Sequence, residues 1–116
     1  MKSPFPKSVY RRNSEIYRVL ANPIRLEILN SIKFQELSVE QLIDILGLRK
    51  ANVSQHLALL RHARLVTARR EGLSVYYQIV DPRIIEPCRI LKEVWEETPS
   101  LPAHVSTRKE YAQVSV

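Results

Sequence analysis

The chain has 116 residues, a mass of 13.5 kDa, 45% hydrophobic and 26% charged residues. That is enough for one core and too little for two domains of about 100 residues each. Eighteen Lys and Arg against twelve Asp and Glu leave +6 and an isoelectric point near 9.8, a balance that turns attention to polyanions, either nucleic acid or an anionic membrane surface. The single cysteine, Cys88, excludes an internal disulfide and a thiolate zinc cluster and suits a reducing cytosol. No apolar run has the length of a signal-peptide core or of a membrane span, so a cytoplasmic protein without a membrane partner is expected.

Residues 1–13 hold Pro4, Pro6, four basic side chains and no acid, which predicts a flexible basic arm. Ser14 then reads as an N-cap, and Ile16, Val19 and Leu20 fall at helical spacing up to the break at Asn22-Pro23. Asn22 caps the next helix, with Pro23 in its first turn and Ile24, Ile28, Leu29 and Ile32 as its buried stripe over residues 23–33. Ser38 and Gln41 form a capping box for a third helix that Gly47 ends. A fourth runs from about Lys50 to His62 with Val53, Leu57 and Leu60 inward. Two short helices joined by a glycine turn predict a helix-turn-helix.

The period then shifts toward two. Leu65–Glu71 and Leu73–Val80 read as strands with a turn at Glu71-Gly72, one face carrying Leu73, Val75, Tyr77 and Ile79. Asp81 and Pro82 open a final helix whose apolar positions are Ile84, Cys88, Leu91 and Trp95, and Pro87 predicts a kink or a restart near 87. The fold class is therefore mainly α with a β-hairpin wing, with the domain over 14–97 and a tail at 98–116 carrying at most a short helix.

Between Ile45 and Arg70 there are six basic residues and no acid, so this stretch equals the whole net charge, and residues 1–13 add four more against a deficit elsewhere. Beside the inward stripe of the fourth helix, Ala51, Asn52, Ser54, Gln55 and Ala58 point outward, with His56 on the shoulder. Amide side chains can bond adenine N6 and N7 in a major groove, and Ser and Ala let a helix approach closely. Arg49, Lys50 and Arg61 would meet phosphates alongside. A solvated charged face is the plainer reading of a basic run, but such faces usually carry acids, and this one has none.

The segments Leu20-Ala21-Asn22-Pro23-Ile24-Arg25-Leu26-Glu27-Ile28-Leu29, Leu48 to Leu60 with Val53-Ser54-Gln55-His56-Leu57, Arg69-Arg70-Glu71-Gly72 and Val75-Tyr76-Tyr77 closely resemble the ArsR/SmtB family of winged-helix repressors over residues 15–95. The resemblance implies a homodimer built from the first and last helices, a recognition helix in the major groove and a wing on the backbone or minor groove, with DNA released by an inducer. It makes Ser54, Gln55 and His56 the groove residues and puts Arg69 and Arg70 on the wing.

The family's paired cysteines in the third helix are replaced by Ser38 and Glu40, and residues 82–97 lack histidine. No metal site and no cofactor is therefore expected, since soft metals want thiolate or imidazole. Arg64 stands where the family often ends this helix with glycine. Cys88 is left as a thiol-sensor candidate, against its reading as an inert packing residue. Ser54 and His56 diverge around the helix, so a nucleophile and base pair is not formed and catalysis is not expected.

The expected function is sequence-specific binding of double-stranded DNA at an imperfect palindrome, by a homodimeric transcriptional regulator associated with the nucleoid. The alternatives are a winged helix used for protein contacts and a non-specific nucleoid protein.

Overall fold

Caps and prolines punctuate the chain. In the computed structural model, which describes residues 1–98, Ser100 and Leu101, Asn22 Oδ1 accepts from the Ile24 and Arg25 amides at 3.0 and 3.1 Å. It thereby separates α1 (Lys7–Leu20) from α2 (Pro23–Ser31). Ser38 and Gln41 form the reciprocal capping box at the start of α3 (Val39–Leu46), and Gly47 closes it at φ +65°, a left-handed conformation that glycine adopts without a Cβ penalty. Then follow α4 (Lys50–His62), β2 (Val66–Glu71), β3 (Ser74–Ile79), a 3₁₀ turn at Pro82–Ile84 and α5 (Glu86–Glu97). Before α3 the short β1 (Leu37–Ser38) pairs with Tyr77 and Tyr76 of β3, giving an antiparallel sheet of order β1-β3-β2.

Ile24, Ile28, Leu29, Ile32, Leu42, Val53, Leu57 and Leu60 are fully buried, joined by Leu65, Val66, Ile79 and Ile85. The core thus lies between α2, α3, α4 and the base of the hairpin. That packing fixes the orientation of α4, and with it whatever α4 presents to solvent.

Three features differ from the sequence reading, and at Pro87 the structure takes one of its two alternatives, the restart. The first helix starts at Lys7, so the second half of the expected arm is helical. Ser14 is not a cap: its hydroxyl donates back to the Arg11 carbonyl at 2.8 Å. Pro6 precedes the first turn, and Tyr10 anchors it through an edge contact with Phe5 and a 2.7 Å bond to the Ser3 hydroxyl. The hairpin loop is Gly72-Leu73 rather than Glu71-Gly72, since Glu71 pairs with Ser74; only Gly72 takes a positive φ, and Leu73 at the tip is fully exposed instead of continuing the apolar face. Pro87 sits in the first turn of α5, after the 3₁₀ turn capped by Asp81, so the chain restarts there without a kink. The short helix considered for the tail falls, past Leu101, outside the described residues.

Arg64 ends α4 in the way a glycine usually does. It has φ +62°, while the Leu65 amide donates to Leu60 O and the Arg64 amide to Arg61 O, each at 3.0 Å. These are the two bonds of a Schellman closure, with the apolar Leu60 to Leu65 pairing that accompanies it. The left-handed conformation costs a residue with a Cβ about 1–2 kcal/mol, and greater unfolded-state freedom of glycine offsets part of that. Arg64→Gly is therefore expected to stabilise the protein by about 0.5–1 kcal/mol, read from the midpoint of urea unfolding.

Candidate nucleic-acid interface

Helix α4 is pinned by Val53, His56, Leu57 and Leu60, all buried, at i, i+3, i+4 and i+7 of one face. The opposite face carries Ala51, Ser54, Gln55, Ala58 and His62, all exposed, with Asn52 half-buried at its margin. Arg49, Lys50 and Arg61 are exposed around it. The groove-facing set expected from the sequence is thus brought together, with two changes. His62 joins the exposed face, and His56 leaves it.

His56 is 6% exposed, and its Nδ1 accepts from Arg25 Nε at 3.2 Å. Arg25 Nη1 also donates to the Val19 carbonyl at 3.0 Å. An arginine of α2 therefore ties the end of α1 to the back of α4, and His56 belongs to that internal brace instead of to the surface. The sequence marks Arg25 only by its place just after the Asn22-Pro23 pair.

The two wing arginines separate as well. Alternation along β2 puts Arg69 and Arg70 on opposite faces. On one face, Arg69 forms a two-pronged contact with Glu36, Nε and Nη2 to the two carboxylate oxygens at 3.0 and 2.9 Å, donates to Glu71 at 2.7 Å and stacks 5.0 Å over Tyr76. Hydrogen bonding to Arg69 holds the Glu36 carboxyl below its usual pKa, and the two glutamates hold the guanidinium charged. Arg70, exposed on the other face, has no ion pair among the described residues.

From Lys33 onward, the cations outside this region are paired among the described residues. Lys33 bridges to Glu86 at 3.2 Å, Arg83 to Asp81 at 2.7 Å, Arg89 to Glu86 and Glu93, and Lys92 to Glu96 at 2.6 Å. Arg83 and its own amide draw the Asp81 carboxyl down to about 2. Arg49, Lys50, Arg61, Arg64 and Arg70 have no such partner among the described residues, so the positive charge of this region is available to an external anion.

A second surface is apolar. An open groove of about 770 Å³ runs between α1, α2 and α5, with Tyr17, Leu20, Leu26, Leu91 and Trp95 among its walls and the half-buried Cys88 beside them. No residue of α5 is buried, and Ile90, Leu91, Val94 and Trp95 are each more than 40% exposed. Ser38 is buried and committed to its cap. Among the described residues no group of three or more His, Cys, Asp or Glu side chains is placed to hold a metal, and no helix is long and apolar enough to cross a membrane.

Comparison with known proteins gives a consistent assignment. The family model for bacterial regulatory proteins of the arsR family matches residues 22–68. The HTH-type transcriptional regulator KmtR of Mycobacterium tuberculosis is 40% identical over 70 residues, which is 60% of this chain and 54% of that protein, so the chain spans about half of that relative. The transcriptional repressor PagR of Bacillus anthracis is 35% identical over 83 residues, covering 71% of this chain and 83% of PagR. Its crystal structure superposes with a TM-score of 0.63 at 32% identity, over 74% of this chain and 99% of that one. A homodimeric winged helix-turn-helix DNA-binding domain from Mycobacterium bovis gives a TM-score of 0.66 at 28% identity, over 90% of this chain and 95% of that one. The winged helix-turn-helix is thus that of a known lineage, and the chain belongs to the ArsR family of winged helix-turn-helix transcriptional regulators.

Proposed function

We propose that this regulator is a homodimeric, sequence-specific repressor of the cytoplasm and nucleoid that binds an imperfect palindrome in double-stranded DNA and is released by a signal. The observation that carries this reading is the outward face of α4. Small and amide-bearing side chains lie at its centre, Arg49, Lys50 and Arg61 lie around it, no acid interrupts it, and the buried side is locked to the core. In this reading Asn52, Ser54, Gln55 and His62 face base edges, and the surrounding cations meet phosphates. The apolar strip of α5 and the groove beside α1 support dimerisation, because so much exposed apolar surface is favourable to cover. Two α4 helices related by a two-fold axis would address half-sites about 34 Å apart, or a multiple of that. Oxidation of Cys88 by a peroxide would set a polar group beside the same groove, which keeps this thiol as the sensor candidate against its reading as a packing residue.

The wing roles divide. Arg70→Ala is expected to weaken all duplexes similarly and to reduce the salt slope of binding by about 1. Arg69→Ala should leave that slope nearly unchanged, because its charge is already balanced by Glu36 and Glu71. Titrations of both variants between low and moderate salt compare the two directly.

The reading as a whole is tested by sedimentation of the protein with a duplex enriched from random sequence. Two protomers per duplex and a two-fold symmetric footprint are expected. One protomer per duplex with an asymmetric footprint would overturn the dimeric reading.

A further inference from the structure

Helix α1 divides lengthwise into three faces. Ile16, Val19 and Leu20 pack on the core. Tyr10 and Tyr17, seven residues apart, are exposed on a second side, where Tyr17 walls the apolar groove with Trp95. At 100° per residue, Lys7, Arg11, Ser14 and Arg18 fall within an arc of about 60° on the side away from the core. All four are exposed.

The cations of this third face lack the carboxylate partners that five other cations of the protein hold. Lys33, Arg69, Arg83, Arg89 and Lys92 each hold a carboxylate within 3.2 Å. Lys7, Arg11 and Arg18 hold none among the described residues, although Glu15 lies three or four residues from two of them, a spacing that permits a helix ion pair. Exposed cations without an ion pair therefore collect in two places, the α4 and wing region and the N-terminal segment through α1.

Resting on the reading that α4 enters a major groove, we propose that the Lys7, Arg11 and Arg18 face of α1 is a second DNA-contacting surface, which binds backbone phosphates flanking the base pairs read by α4. The stripe spans about 16 Å along the helix axis, roughly half a turn of B-DNA. It carries three cations and one hydroxyl, groups that bind phosphate oxygens. Its contribution is to affinity and salt dependence, and it lengthens the footprint without adding sequence preference. Duplex DNA fits the stripe better than a lipid surface does, because an interfacial helix needs an apolar side to bury. Here the apolar side of α1 is already occupied by the core, and Tyr17 is turned into the groove beside α5.

The test uses the full chain and its Lys7→Gln/Arg11→Gln/Arg18→Gln variant. Two duplexes carry the same enriched site, one trimmed to its ends and one extended by about 10 base pairs, roughly one turn, on each side. Wild type should bind the extended duplex with the steeper salt dependence. The variant should lose about 0.9 in log–log slope for each phosphate contact removed, about 2 or more in total, on the extended duplex only. Equal slopes for variant and wild type on the extended duplex would overturn the proposal, as would stripe-dependent binding to phosphatidylserine vesicles with DNA binding unaltered. If wild type itself showed no preference for the enriched site over a scrambled one, the groove reading would fall and this proposal with it. Preserved preference with an unchanged slope would remove the proposal alone.

Discussion

Leu57→Ala is expected to destabilise the protein by about 2–5 kcal/mol, measured by urea unfolding at one fixed protein concentration. Leu57 is fully buried in α4, and the side chains around it come from separate elements of the core. Truncation loses the transfer free energy of the missing carbons and leaves a cavity that a framework of capped helices can only partly fill. For a chain of 116 residues, whose total stability is of order 10 kcal/mol, that is a large fraction. Fixed concentration matters because dimerisation would add to the apparent stability by mass action. A loss below about 1 kcal/mol would mean that α4 is not held by the core in the way described.

Gln55→Ala should do the reverse. Gln55 is exposed and lies about 200° around α4 from Leu57, although only two residues separate them. Its removal should leave the unfolding midpoint within about 0.5 kcal/mol of wild type. Discrimination against the wrong base pair at one position of each half-site should fall by about 1–3 kcal/mol, a factor of about 5 to 150, if its amide bonds a base edge. Competition between the preferred duplex and single-base variants reads this out. If both affinity and preference are unchanged, Gln55 does not face a base and the groove-facing arc of α4 has been drawn wrongly. The two substitutions thus separate the side of α4 that makes the fold from the side that uses it.

Much of the architecture is legible in local chemistry. Asn22-Pro23, the Ser38 and Gln41 box, Gly47 and Pro87 each act through neighbours two to four residues away, and each marks its boundary without any knowledge of the rest of the fold. The start of α1 is not legible in that way. Two prolines and a run of basic residues resemble an arm, and the anchoring of Tyr10 by Phe5 and Ser3 is visible only once the turn exists. Strand β1 has two residues, too few to show a period, and is defined by its partner β3.

Within the site, the outward face of α4 follows from helical spacing, but the burial of His56 does not. Positions 53, 56, 57 and 60 complete an i, i+3, i+4, i+7 pattern, and an imidazole in the second slot disguises it as surface. The partner that makes burial tolerable is Arg25, 31 residues earlier, since buried polar groups need hydrogen bonds. The same distance problem hides the wing contact. Glu36 and Arg69 are 33 residues apart, and their meeting depends on the sheet register that β1 and β2 share through β3. Net charge counted along the chain treats Arg69 and Arg70 alike, whereas the folded sheet leaves only one of them available to a phosphate.

The central claim is that the α4 face reads base sequence, and the most direct measurement is the ratio of dissociation constants for an enriched duplex and a scrambled duplex of equal length, both at about 0.15 M salt. The account predicts a ratio of at least about 10³, the lower end of what specific DNA-binding proteins achieve over their own non-specific binding. Equal affinity for the two duplexes would contradict it and leave only a basic surface that holds any DNA.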